Sequence, residues 1–311
     1  MQRMNTTTPT LKGLAIPGAF LFTLMLVSQA HAEEYIKSYT VSGPSTVRVK
    51  VDDSSVHVVT SDTDQVEFRV TSQGFSAVEI GGKLHIDSQQ NGNDVELTVR
   101  LASRVVIGFS NKRLSTEVRM PKNANLQIDT SDGRVELADL NGNITVHTSD
   151  GAITASKLSG SIELRTRDGD ITADALIGSF KLHSGDGKIN ATGLDGKCDI
   201  STSDGSIHAA GRFDSLDLKS SDGPVTARAE AGSKLASMWS IATKDGRVDV
   251  DIPKDLQANL DASTGDGRIT LGLPVSMQGD IGKKSVHGTL NGGGPTLFIH
   301  TGDGSIRLNG T

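Results

Sequence analysis

The sequence predicts an all-β fold, a single-domain β-solenoid of parallel coils with about eighteen residues in each. Three observations predict it. Asp-Gly pairs return every eighteen residues at Asp132-Gly133, Asp150-Gly151, Asp168-Gly169, Asp186-Gly187, Asp204-Gly205 and Asp222-Gly223, with looser copies at Asp245-Gly246, Asp266-Gly267 and Asp303-Gly304. A fixed period of this length marks a repeat in which each unit buries its core only against its neighbours. A second glycine divides the period near its middle, as at Gly142, Gly160, Gly178 and Gly196. Between glycines, apolar and polar side chains alternate, the spacing of a strand with one buried face.

Each coil then reads as two short strands and two glycine turns. After Asp-Gly the pattern is Ile-x-Ala, as in Ile153-Thr154-Ala155 and Ile171-Thr172-Ala173, with Leu140, Leu158, Leu176 or Leu194 near the next corner. After the other glycine it is Ile-x-Leu, which places Ile144, Ile162, Leu164, Phe180, Leu182, Cys198 and Ile200 in the core. This half closes on Thr148, Thr166, Ser184, Thr202 or Ser220. Parity turns those hydroxyls inward, where each needs a partner in the next coil or in a turn amide. Large residues facing small ones let two sheets approach closely. A left-handed β-helix with three six-residue faces is excluded, because counting on from Val135 would put Asn141 and His147 in the core. At the corners, Gly133, Gly151, Gly169, Gly187, Gly205 and Gly223 are expected to supply positive φ, with each Asp bonding its own turn amides.

Along the chain, residues 1–32 read as a signal peptide. Arg3 and Lys12 precede the apolar stretch Leu14 to Val27, and Ala30-His31-Ala32 fits a cleavage site. Residues 33–120 are expected to form irregular first coils that cap the open edge, a small β-sandwich being the alternative. Within them Val56, Val58 and Thr60 match the inward triplet, with Thr63 standing at the glycine position. Residues 121–311 form the regular and then degenerate Asp-Gly solenoid. Trp239-Ser240-Ile241, Leu260-Asp261-Ala262 and Leu297-Phe298-Ile299 keep the triplet, His287-Gly288 reads as a degenerate turn, and Pro253 to Leu256 as an edge insertion.

The formal charge of −6 becomes −8 without residues 1–32, which argues against nucleic acid or anionic lipid as a partner. No integral membrane segment is expected after cleavage, since no other stretch is long and apolar enough. Cys198 is the only cysteine, so packing and ladders carry stability without a disulfide. No cofactor motif and no catalytic constellation stands out. The weak metal candidate is the column Asp132, Asp150, Asp168, Asp186, Asp204 and Asp222, whose carboxylates would stack ~4.8 Å apart. Retaining glycosidases hold two acids at a similar distance, yet a regular column gives every pair the same surroundings, where reactive pairs need contrast. His147 and His183 share an outward column with Arg165 between them, too far apart for one metal ion. Asn143-Ile144-Thr145 and Asn190-Ala191-Thr192 match glycosylation sequons. Any binding face is polar and broad, or lies in the insertions.

The Thr-Ser-Asp-Gly repeats at 130–135, 148–153 and 202–207 resemble those of the bacterial putative-adhesin family. So does the tail from Asn291-Gly292-Gly293-Gly294 to Thr301-Gly302-Asp303-Gly304. The resemblance implies an exported β-solenoid of unknown function, adhesin-like, periplasmic or on the cell surface, whose partner is a protein or glycan of the envelope. It implies no catalytic residue, and it adds an accessory role in envelope-stress signalling as a further reading. A polysaccharide-active β-helix enzyme is the alternative from another class.

Overall fold

The computed structural model describes residues 33–74, 84–101, 113–277 and 284–311; the expected signal peptide lies outside them. All regular structure among these residues is β. The first strands are β1 (Glu33–Thr40), β2 (Ser45–Val51), β3 (Ser55–Ser61), β4 (Gln65–Gln73), β5 (Leu84–Asn91), β6 (Asp94–Leu101) and β7 (Arg113–Pro121). The regular coils contain β8 (Ala124–Thr130), β9 (Val135–Ala138), β10 (Asn141–Thr148), β11 (Ile153–Thr166), β12 (Ile171–Ser184), β13 (Ile189–Ser201), β14 (Ile207–Lys219) and β15 (Val225–Ala229). The last coils contain β16 (Trp239–Thr243), β17 (Val248–Ile252), β18 (Ala258–Thr264), β19 (Ile269–Gly272), β20 (Ser276–Met277), β21 (Ser285–Leu290), β22 (Thr296–Thr301) and β23 (Ile306–Gly310).

Parallel pairing in an eighteen-residue register builds two ladders. Ile144, Ile162, Phe180, Cys198 and Leu216 align in one; Val135, Ile153, Ile171, Ile189 and Ile207 align in the other. Both rows are buried and face each other across the core, as do the Leu and Ala rows beside them. The ladder does not stop at the second corner. β11 and β12 pair along their whole lengths, so each coil's two strands are one strand bent at Gly160 and Gly178. That bend needs glycine twice over at Gly160: φ is +115°, and a Cβ would lie 2.3 Å from the Gly142 carbonyl oxygen. Just before it, Asp139, Lys157 and Ala175 hold φ values of 57°, 52° and 54°, the left-handed region, and Gly193 takes the same place at 61°.

The Asp-Gly corner works differently from the sequence expectation. Its glycines are not in the left-handed region. What excludes a side chain is the coil beneath: a Cβ on Gly169 would sit 2.1 Å from the Gly151 carbonyl oxygen. Nor does the Asp carboxylate bond the turn amides among the described residues. The inward hydroxyl does. Thr166 Oγ1 accepts the Gly169 amide at 3.0 Å and shares its proton between the Ser149 and Gly151 carbonyls, both at 3.1 Å. Ser184, Thr202, Ser220 and Thr243 repeat the arrangement, so hydroxyls staple coil to coil along the core edge.

Stacking order departs from chain order at both ends. β2 pairs with β8 on one side and β6 on the other, and β3 lies between β9 and β7. The 45–61 coil is therefore an interior rung, and antiparallel β4 and β5 close the end beyond β7 and β6, with β1 outermost on β4. Tyr35 and Tyr39 tie β1 to β5 through the Ser88 hydroxyl, at 2.7 and 2.6 Å. The other end mirrors this: β22 and β23 slot between β16–β17 and β18–β19, and antiparallel β21 and β20 follow β18. The staple follows space and not sequence, since Thr301 Oγ1 donates to Gly246 and Thr264 Oγ1 to Gly304.

Two sequence assignments change as a result. Val56 aligns with Val135, so Val47, Val49 and Val51 form the inward triplet of that coil and Asp53-Ser54 occupies the Asp-Gly position, not Asp62-Thr63. His287-Gly288 is no turn; both residues lie in β21, where His287 faces Asp261 at 3.2 Å. Alternation alone could not separate the two ladders, because both carry valine triplets near the N-terminal end.

Candidate functional site

Outward side chains are set by the same register as the core. On the ladder that carries the hydroxyl staple, one column runs Gln127, Thr145, Glu163, Lys181, Asp199, Asp217 and its neighbour runs Asp129, His147, Arg165, His183, Ser201, Lys219. Opposite charges meet across and along the rungs: His147 lies 3.4 Å from Asp129, Arg165 3.1 Å from Glu163, and Lys219 2.8 Å from Asp217. The Asp217 hydrogen bond holds the Lys219 ammonium above its ordinary value. His183 shares a 3.0 Å hydrogen bond with Ser201, while burial, then Arg165 and Lys181, hold its imidazole below the ordinary value. Such pairs contribute little singly but fix the rung register.

The Asp column is longer than the sequence period shows. Backbone amides link Asp150, Asp168, Asp186, Asp204 and Asp222 each to the coil beneath, then continue through Asp245, Asp303 and Asp266. Asp53 adjoins Asp132 at the other end, where burial first, then Asp132 and Asp52, raise its carboxyl above the ordinary value. Apart from half-buried Asp53, the residues of the column are exposed along one edge. Arg167 bridges Asp150 and Asp168, and Lys284 reaches Asp266 at 3.4 Å. Among the described residues no group of three or more His, Cys, Asp or Glu side chains could hold a metal ion. The column presents a row of negative charge, neutralised locally by Arg167 and Lys284, which suits attraction of a counter-charged partner.

Cys198 is buried at 3% exposure, and burial, with Asp199 and Asp217 adding to it, pushes its thiol well up. It fills the core place held by Phe180 and Leu216 in adjacent coils. A thiol so placed is inert in the folded protein.

The insertions gather at the second corner of the last coils. Connections 230–238, 253–257 and 291–295 line a cleft of about 350 Å³ there. Sequence reasoning marked only Pro253 to Leu256; the departures from the eighteen-residue spacing after Gly223 were the available signal for the others.

The sequence pattern of the family described as Toastrack DUF4097 matches residues 45–309. The chain belongs to this family. The Toastrack match takes in the Thr-Ser-Asp-Gly repeats and the reordered strands at both ends, and leaves β1 outside. Solved structures that the chain matches include a putative adhesin from Bacteroides fragilis, 13% identical, covering 89% of this chain and 97% of that one at a TM-score of 0.45. A putative lipid binding protein from Parabacteroides distasonis is 12% identical, with 90% and 98% covered and a TM-score of 0.37. A putative cell adhesion protein from Clostridium sporogenes is 12% identical, with 90% and 100% covered and a TM-score of 0.27. Among curated proteins, none matches the chain.

Proposed function

We propose that this protein is an exported, non-enzymatic β-solenoid that serves as an interaction scaffold at the cell envelope or cell surface. The observation that carries this reading is the outer register. Polar columns of mixed charge stay aligned from rung to rung across the regular coils, giving a broad, rigid, wettable face. Reactive centres instead converge a few groups in contrasting environments within a pocket. In the Asp column, the Asp150 and Asp168 carboxylates are exposed along an edge and bridged by Arg167, where they are held as paired anions. Export rests on the features of residues 1–32, and the envelope is where an exported chain with no disulfide and a polar exterior would meet glycans and proteins.

The test uses full-length tagged protein expressed with its leader. Fractionation should place it outside the cytoplasm, and the purified protein should bind envelope preparations saturably without changing them. Recovery in the cytoplasm, or turnover of an envelope glycan that one Asp→Asn substitution in the column abolishes, would overturn the reading.

A further inference from the structure

The exchanged stacking order near the C-terminal end makes two connections cross. β17 must pass the inserted β22 to start β18, and β21 must return past β18 to start β22. Residues 253–257 and 291–295 therefore meet at one corner. Asn291 fastens the crossing, its Nδ2 donating to the Lys254 and Leu256 carbonyls at 2.6 and 2.9 Å. Asn259 fastens the other side, donating through Nδ2 to Gly294 at 2.5 Å and through its backbone amide to Pro295 at 3.0 Å. The third wall, 230–238, hangs on β14: the Lys234 amide donates to the Phe213 carbonyl at 2.9 Å, and Ser233 Oγ accepts the Phe213 amide at 3.1 Å. Phe213 itself is locked edge-on against buried Trp239, 6.1 Å between ring centres.

These walls enclose the cleft of about 350 Å³, within the range of small-ligand sites. We propose that it binds a neutral, hydroxyl-rich saccharide unit. This names a ligand class for the interaction scaffold and rests on that reading. Lys234, Asp255 and Gln257 line the cleft together. The ion pairs of this region join Arg212 to Asp214 and Arg247 to Asp249, leaving Lys234 and Asp255 without one among the described residues. An anionic ligand would meet Asp255 and a cationic one Lys234. A sugar hydroxyl both donates and accepts, so it can use the carboxylate, the ammonium and both ends of the Gln257 amide at once. Leu235 and Leu256, 8% and 5% exposed, join Pro295 in an apolar floor against which the C–H face of a pyranose can lie. Gly232 and Gly294 also line the cleft, and neither carries a side chain to screen its backbone from a ring. Because backbone and asparagine bonds already fix the walls, binding needs no loop ordering.

The experiment titrates the full-length protein with neutral hexose and N-acetylhexosamine oligomers, a uronate oligomer and an unrelated polar peptide. Lys234→Ala and Gln257→Ala are compared with Lys37→Ala, an exposed cation on β1 at the opposite end of the stack. A neutral oligomer should bind the parent and Lys37→Ala alike, and at least tenfold more weakly to both cleft variants, with melting unchanged. No neutral oligomer bound, equal binding across all variants, or binding of the uronate or peptide alone would overturn the proposal. Envelope binding that survives both cleft substitutions would overturn the cleft while leaving the scaffold; absence of envelope binding by the parent would remove the scaffold itself.

Discussion

Replacing Thr166 with valine deletes a hydroxyl while filling the same space. Thr166 is 1% exposed, and its oxygen accepts the Gly169 amide at 3.0 Å while its proton serves the Ser149 and Gly151 carbonyls at 3.1 Å. In Thr166→Val the buried Gly169 amide has no acceptor, at a cost of about 1–3 kcal/mol. Losing the shared bond to the lower coil adds about 0.5–1.5 kcal/mol, so the variant should lose about 1.5–4.5 kcal/mol. Thr166→Ser keeps the oxygen and gives up one buried methyl, costing about 1 kcal/mol. Serine already does the same task at Ser184 and Ser220. Urea midpoints followed by circular dichroism should rank parent first, serine next and valine last, with exposed Thr172→Val at the parent value. Apolar burial alone gives the reverse ranking of serine and valine. A valine midpoint at or above that of serine would refute the staple.

Gly169→Ala should prevent soluble folding, since the new carbon would lie 2.1 Å from the Gly151 carbonyl oxygen, whereas Gly43→Ala, with φ at +84° and nothing within 4 Å, should cost only about 1 kcal/mol; soluble yield and urea midpoint separate them. Ala175→Gly should stabilise the fold by about 0.5–1 kcal/mol, read as a higher urea midpoint, because φ at 54° strains an alanine by more than the entropy a glycine adds to the unfolded chain. Cys198 should resist a thiol-specific reagent in the folded protein and react at once in urea, as its burial and raised pKa require; native labelling at the denatured rate would place it at the surface. His183 is held below its ordinary value, so the unfolded chain takes up the proton first and stability falls as pH drops below about 6.5. His183→Gln should flatten the dependence of the urea midpoint on pH between 7 and 5.

Much of the column was legible from residues alone, because period and parity are local properties that stacking repeats without change. Ile162 and Leu164 are inward because alternation between the Gly160 bend and the Gly169 corner sets their parity. The Asp-Gly corner is not legible within one coil, because the demand on Gly169 comes from the coil below it. Asp and Thr compete for the same amide, and the inward Thr166 wins by being already buried beside it. Reordering of the ends left no trace in the pattern: Leu260, Leu297 and Trp239 carry equivalent triplets, and nothing in a triplet says which neighbour it will choose. The second-corner cleft was hidden for the same reason, since its walls come from segments far apart in sequence.

The placement of β22 and β23 makes the final segment a keystone. Cutting residues 296–311 from the polypeptide would not trim the column by one layer; it would open a gap of about 10 Å between β17 and β19, two strand spacings wide. Synthesis supplies β22 and β23 after the strands they must join, so this part of the column can close only once they have emerged, and shorter products are left with two parallel edges unpaired.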